Sequence, residues 1–277
     1  INMLIPILIL IGILLFFLPK IIQMLGVHPH YEGKNYDLPN KKALIITTSQ
    51  AFLGNEKNAK PTGVYASEMT VPYYEFLDAN MQVDLASIKG GKIPIEKMSI
   101  IWPLATESDK RFLKDTDALA KANNSAKIDD IDFLEYDIIY FAGGWGAAYD
   151  LGYSEILGEK LTESYANGVI LGSVCHGALG FLKAKDTDGK PLVQGKHITA
   201  VTDKQIKQLM VSQTPLHPET ELKKAGAIFE CKTSLLDLFA DLTVVDDRIV
   251  TGQNQNAGKE TAQNLLKLLE EKVSKAA

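Results

Sequence analysis

The chain has 277 residues with 34 acidic and 29 basic side chains, a net charge of −5, and its bases are scattered, which argues against a nucleic-acid-binding surface. Hydrophobic residues make up 46% and charged residues 23%, enough to bury a core and too apolar for a disordered chain. The two cysteines, Cys175 and Cys231, are too few for a disulfide framework and neither stands in a CxxC pair, so they leave the redox compartment open.

Residues 1–18 are apolar apart from Asn2, Pro6 and Gly12, and the apolar character resumes after Pro19 and Lys20 with Ile21, Ile22, Met24, Leu25 and Val27. A bilayer core takes about 20 apolar residues as a helix, so residues 1–27 are expected to form a single-pass transmembrane anchor, with Lys20 reaching back to the interface. A cleaved signal peptide is the rival reading; no basic leading region and no A-x-A-like site support it. Lys20, Lys34, Lys41 and Lys42 all follow the apolar run, which favours the cytoplasmic side for the rest of the chain. Residues 28–40 are polar, contain two prolines and read as a linker. His28, His30 and Glu32 lie there without the spacing of a structured metal site and read as part of a solvated tether, so no metal is expected.

From Lys41 to the end of the chain, buried-type strands alternate with helical periodicity. Strands are expected at 43–48, 81–87, 137–142, 168–174 and 197–201, and helices at 65–80, 108–123, 154–166, 215–225 and 257–273. A further helix starts at Cys175, and residues 241–245 and 248–251 read as a hairpin turning at Asp246-Asp247. Strands without polar alternation are buried on both faces, so residues 41–277 form one α/β domain with a mostly parallel sheet covered by helices. Sites in such folds lie beyond the carboxyl ends of the strands. Two of those ends carry Gly143-Gly144 and Cys175.

The stretch around Cys175 has the layout of a nucleophile elbow. Ser173 and Gly177 stand two before and two after the cysteine, where a tight strand-to-helix turn demands small neighbours. The helix that follows is expected to lower the thiol pKa toward thiolate. The His176 amide, with amides near Gly143-Gly144, is placed to form an oxyanion hole. A buried structural cysteine is the plainer alternative; the Gly-Gly at the neighbouring strand end and the histidine directly after Cys175 favour function.

At these residues the sequence resembles the PfpI-like class I glutamine amidotransferase superfamily, and more closely its branch of heat-shock chaperones with glyoxalase III activity. The resemblance rests on Pro61-Thr-Gly-Val-Tyr-Ala-Ser-Glu68, Pro72-Tyr-Tyr-Glu-Phe76, Val83-Asp-Leu-Ala-Ser-Ile-Lys-Gly-Gly91, Ala142-Gly-Gly-Trp-Gly146, Ser173-Val-Cys-His-Gly177 and Thr251-Gly-Gln-Asn254, collinear along the whole soluble part. It implies a flavodoxin-like three-layer sandwich and a site of Glu68, Cys175 and His176, with Gly143, Gly144, Trp145 and Gly177 around the oxyanion and substrate. Glu68 matches the family's protonated glutamate beside the cysteine sulfur; by itself it reads as an ordinary helix-surface acid. Trp145 is a departure, since the branch carries histidine there, and the indole narrows the pocket and removes a titratable group. Asp203 is the acid best placed to orient His176 as third triad member, and it reads equally well as the N-cap of a helix over residues 204–209. His197 and His217 read as structural and Cys231 as packing.

The resemblance implies a cofactor-free, glyoxalase III-like lyase of the D-lactate dehydratase type that turns methylglyoxal into lactate. A stress chaperone or redox sensor using the same cysteine, and a peptidase or amide hydrolase, are the rival readings. The expected partners are a small aldehyde substrate and the membrane; a homodimer stays open.

Overall fold

The computed structural model describes residues 4–54, 58–211 and 213–276. In chain order the elements are α1 (Leu4–Met24), β1 (Lys42–Thr47), α2 (Ala66–Asp78), β2 (Gln82–Ser87), α3 (Glu107–Phe112), α4 (Thr116–Asn123), β3 (Ala126–Lys127), β4 (Ile138–Phe141), α5 (Ala147–Asp150) and α6 (Glu155–Ala166). Next, β5 (Ile170–Val174) leads into a 3₁₀ helix over Cys175–Phe181. The chain then forms β6 (His197–Ile198), α7 (Asp203–Gln208), α8 (Pro218–Lys224), β7 (Ile228–Phe229), β8 (Thr243–Asp246), β9 (Ile249–Gly252) and α9 (Gly258–Ala276).

Seven strands make the main sheet in the order β3-β2-β1-β4-β5-β9-β8, all parallel except the antiparallel β8–β9 pair. The strands lack polar alternation because both of their faces are covered. Ala43 and Ile45 of β1 point into one core with Phe76, Tyr140 and Leu265, under α2 and α9. Leu44 and Ile46 point into the other with Phe141, Leu157, Leu171 and Phe181, under α6 and the 3₁₀ helix. Each leucine, isoleucine or phenylalanine among them, fully buried, contributes about 1.5–3 kcal/mol. The result is a three-layer α/β sandwich of flavodoxin-like order.

Three elements depart from the sequence expectations. The helix expected over 108–123 is two helices, because the Asp115 carboxylate accepts from the amides of Asp117 and Ala118 and so starts α4 afresh. The strand expected at 197–201 shrinks to β6, which pairs only with β7 in a separate two-stranded sheet; the place beside β5 is taken by β9. The helix expected from 215 starts at Pro218, whose ring suits a first helical turn and leaves Leu216 and His217 outside it.

α1 has 21 residues, a mean hydropathy of 2.7 and no residue buried against the protein. Residues 28–40 contain no helix or strand, yet they are not a free tether. The His28 amide donates to Asn256 Oδ1 at 2.8 Å, the Lys34 amide to Gln263 Oε1 at 2.9 Å and the Leu38 amide to the Ala79 carbonyl at 2.8 Å. The segment therefore lies along the outer faces of α2 and α9, with Leu38 in the core.

Candidate active site

The site is built where β4 and β5 end side by side. Val174 is the last extended residue of β5, and Cys175 turns to a φ of 57°, the left-handed region that a non-glycine side chain disfavours. Such a backbone costs about 1–3 kcal/mol and persists only where packing over-determines it. Here the packing comes from Gly177, where an added Cβ would stand 2.2 Å from the Phe141 carbonyl oxygen. The end of β4 thus passes directly over the turn. Gly177 serves that close approach, a packing role that the sequence expectation did not include.

Two side chains and two backbone amides converge on the Cys175 sulfur. His176 Nδ1 lies 3.5 Å from Sγ. Glu68 comes from the first turn of α2, which the Ser99 hydroxyl starts by accepting the Ala66 amide at 2.9 Å. The carboxyl is fully buried and sits above Gly143: a Cβ added there would fall 2.5 Å from Glu68 Oε2 and 2.7 Å from the His176 nitrogen. Only glycine fits where the strand end, the carboxyl and the elbow meet. Gly144 takes a φ of 106°, and its amide and that of His176 both act on the sulfur. Those two amides are the donor pair expected of an oxyanion hole.

Burial decides the protonation of this cluster. It pushes the Glu68 carboxyl up to about 8, against smaller pulls from the Cys175 thiol and the Gly143 amide. Burial also pushes the Cys175 thiol up, and the negative charge of Glu68 adds to the rise; the amides of His176 and Gly144 oppose it. His176 is pulled down to about 3 by burial, with His217 adding to the effect, so its imidazole is neutral. Desolvation thus acts against the thiolate expected from the elbow, and the amides of His176 and Gly144 act for it. The group matched to proton transfer near neutral pH is Glu68.

The structure does not bring Asp203 to His176. Asp203 Oδ2 accepts from the Thr220 hydroxyl at 2.5 Å and Oδ1 lies 3.8 Å from His217 Nδ1, while Thr202 is the residue that caps α7. His176 Nε2 has no hydrogen-bond partner among the described residues. What holds the imidazole is Trp145, whose ring meets it edge to face with centroids 5.0 Å apart, a contact worth about 0.5–1.5 kcal/mol beyond area burial. His217 belongs near the site, which sequence reasoning missed: it lies on a distant segment before a proline and carries no local signal. Tyr65 was also missed; its half-buried phenol is pushed up by desolvation and by Glu68. Cys231 is an exposed thiol and not the packing residue expected.

A sandwich with a cysteine on the elbow after β5 and a buried glutamate over it defines a class. The chain belongs to the DJ-1/PfpI family, which matches residues 60–268. It is 30% identical over 244 residues to a Schizosaccharomyces pombe protein named glutathione-independent glyoxalase hsp3102, covering 80% of this chain and 95% of the relative. The Saccharomyces cerevisiae glutathione-independent glyoxalase HSP31 is 30% identical over 234 residues, with 80% and 95% covered. Among solved structures, the Francisella tularensis rapid encystment protein of 24 kDa superposes with a TM-score of 0.75 and 30% identity, over 83% of this chain and 99% of that one. Candida albicans glyoxalase III gives 0.72 and 27%, over 83% and 97%. These relatives place the chain in the glyoxalase III branch of the family.

Proposed function

We propose that this chain is a cofactor-independent cysteine enzyme that converts small 2-oxoaldehydes to 2-hydroxy acids, methylglyoxal to lactate in the simplest case, at a membrane to which α1 anchors it. The observation that carries the reading is the convergence of Cys175, Glu68, His176 and two backbone amides at one elbow. The names of the relatives support the substrate class.

The chemistry needs only water besides the substrate. The ionised fraction of Glu68 takes the thiol proton as Cys175 Sγ bonds to the aldehyde carbon. The carbonyl π pair moves to oxygen, which the His176 and Gly144 amides hold and the same proton then neutralises, giving a hemithioacetal. Glu68, free again, removes the proton from the former aldehyde carbon while the neighbouring carbonyl oxygen takes over the hydroxyl proton of that carbon, and Glu68 then returns its proton to the second carbon of the enediol. The first carbon is thereby oxidised to a thioester and the second reduced to an alcohol, so no external redox partner is required. Water cleaves the thioester, releasing the hydroxy acid and the thiol. The neutral His176 imidazole packs beside the sulfur and orients it.

The test is to incubate the detergent-solubilised full chain with methylglyoxal, without glutathione, and assay lactate. Native protein should form lactate and Cys175→Ala should form none. Equal rates in the two proteins overturn the reading, as does no lactate from either.

Trp145 packs on His176 beside the sulfur, and on this reading it narrows the approach of substrate. Trp145→His is expected to widen that approach and raise lactate formation, measured as kcat/KM for methylglyoxal. A fall would show that the indole holds His176 more than it obstructs substrate.

For the anchor, apolar insertion is not screened by ions, so membrane association should survive high salt and be lost on deleting residues 1–27. Release of the intact chain by salt alone would contradict it.

A further inference from the structure

The passage from α1 into the domain has almost no slack. α1 ends at Met24, Gly26 lies against Phe239, Val27 is buried, and His28 is bonded to Asn256 with its ring 6.4 Å from that of Tyr65. Asn256 stands in the turn after β9, and Tyr65 immediately precedes the helix that carries Glu68. The chain therefore enters the domain at the carboxyl edge of the sheet, the edge that holds the Cys175 elbow. Three residues between Met24 and His28 span at most about 10 Å.

The loops that leave this same edge carry an unusual surface. Phe52 after β1, Met98, Ile101 and Trp102 after β2, and Leu235 beside Phe239 are all exposed, between 47% and 93%. The Trp102 loop continues into Pro103 and Leu104, which line one cleft with Phe17, Ile22 and Val27 of the α1 end. Exposed lysines accompany them: Lys60, Lys89, Lys92 and Lys97 lie on the loops after β1 and β2, and none forms an ion pair among the described residues. Glu96, between them, is half-buried. Large apolar tips flanked by exposed lysines, in a chain whose net charge is −5, suit one environment. The apolar side chains enter the lipid interface and the ammonium groups meet anionic headgroups.

We propose that these loops rest on the surface of the bilayer that α1 enters, so that the mouth of the Cys175 site faces the lipid headgroup layer. The inference rests on the reading of α1 as a membrane anchor. It gives the domain a second contact with lipid and fixes which edge faces the membrane. An aldehyde formed at or partitioning into the headgroup layer then reaches the sulfur without crossing bulk water.

The two tryptophans of the chain supply the test. With Trp145→Phe, Trp102 becomes the sole indole, and the full chain is reconstituted in phosphatidylcholine–phosphatidylserine vesicles whose acyl chains are brominated near the carbonyl end. Loss of most of the Trp102 emission relative to unbrominated vesicles is expected. The further pair Met98→Asp and Ile101→Asp should restore that emission while the chain still floats with the vesicles. Flotation without quenching overturns the proposal and leaves the anchor standing. Failure to float overturns the anchor and the proposal with it. Unquenched Trp102 in a chain that cross-links to a second copy through these loops assigns the surface to self-association and overturns lipid contact.

Discussion

Glu68→Gln is expected to lower turnover of methylglyoxal by roughly 10²–10⁴, the usual loss for a missing general acid–base, while Cys175 remains open to alkylation. Glutamine keeps the size of the side chain above Gly143 and can still hydrogen-bond to sulfur, so the pocket stays packed. It cannot take the thiol proton or carry hydrogen between adjacent carbons. The loss should fall on kcat more than on KM, since the carboxyl acts on bonds that change in the transition state. The check is steady-state kinetics beside alkylation of Cys175 by iodoacetamide, followed by mass spectrometry to separate it from the exposed Cys231. Turnover unchanged in Glu68→Gln would leave the proton shuttle without its carrier.

The same substitution should change how stability depends on pH. In the folded protein Glu68 titrates near 8, against an ordinary value of 4.5. The native state thus keeps a proton that the unfolded chain has released over that interval. The contribution of Glu68 to stability is fully present below 4.5, declines as pH rises, and is lost above about 8. A fully buried group with a rise of this size makes the decline a few kcal/mol. Glu68→Gln has nothing to ionise and should lack that part of the decline. Urea unfolding at pH 5 and pH 8 should therefore show native protein losing more stability than Glu68→Gln. Parallel losses in the two proteins would mean that Glu68 ionises at its ordinary value.

Much of the architecture was legible because two-sided burial writes itself into strands. The apolar runs leading to Phe141 and Val174 have no polar alternation, and the glycines and cysteine that end them mark the carboxyl edge. What escaped depends on side chains meeting across the fold. Asp115 caps α4 and divides a stretch with continuous helical periodicity. Residues 28–40 look like a tether because their polar side chains hide backbone bonds to Asn256, Gln263 and Ala79.

The site was read unevenly for the same reason. Cys175, His176 and the Gly143-Gly144 amides follow from the local turn, and the structure brings them together. Glu68 was visible only through the family motif, since a single acid on a helix carries no signal of its own. Asp203 went astray because an acid after a short strand looks free to turn inward, whereas Thr220 and His217 hold it. The upward push on the thiol was not legible because a helix end is local and desolvation is not: full burial of the sulfur and of Glu68 appears only when α2, β4 and β5 are assembled.

The most direct measurement is of the covalent step. Native protein mixed with methylglyoxal, acid-quenched within a turnover and analysed by peptide mass spectrometry, should carry a mass increase of one methylglyoxal on Cys175. Glu68→Gln should carry less of it, because glutamine cannot take the thiol proton as the sulfur adds to the aldehyde. Absence of the adduct from Cys175 in both proteins, with lactate still formed, would contradict the account.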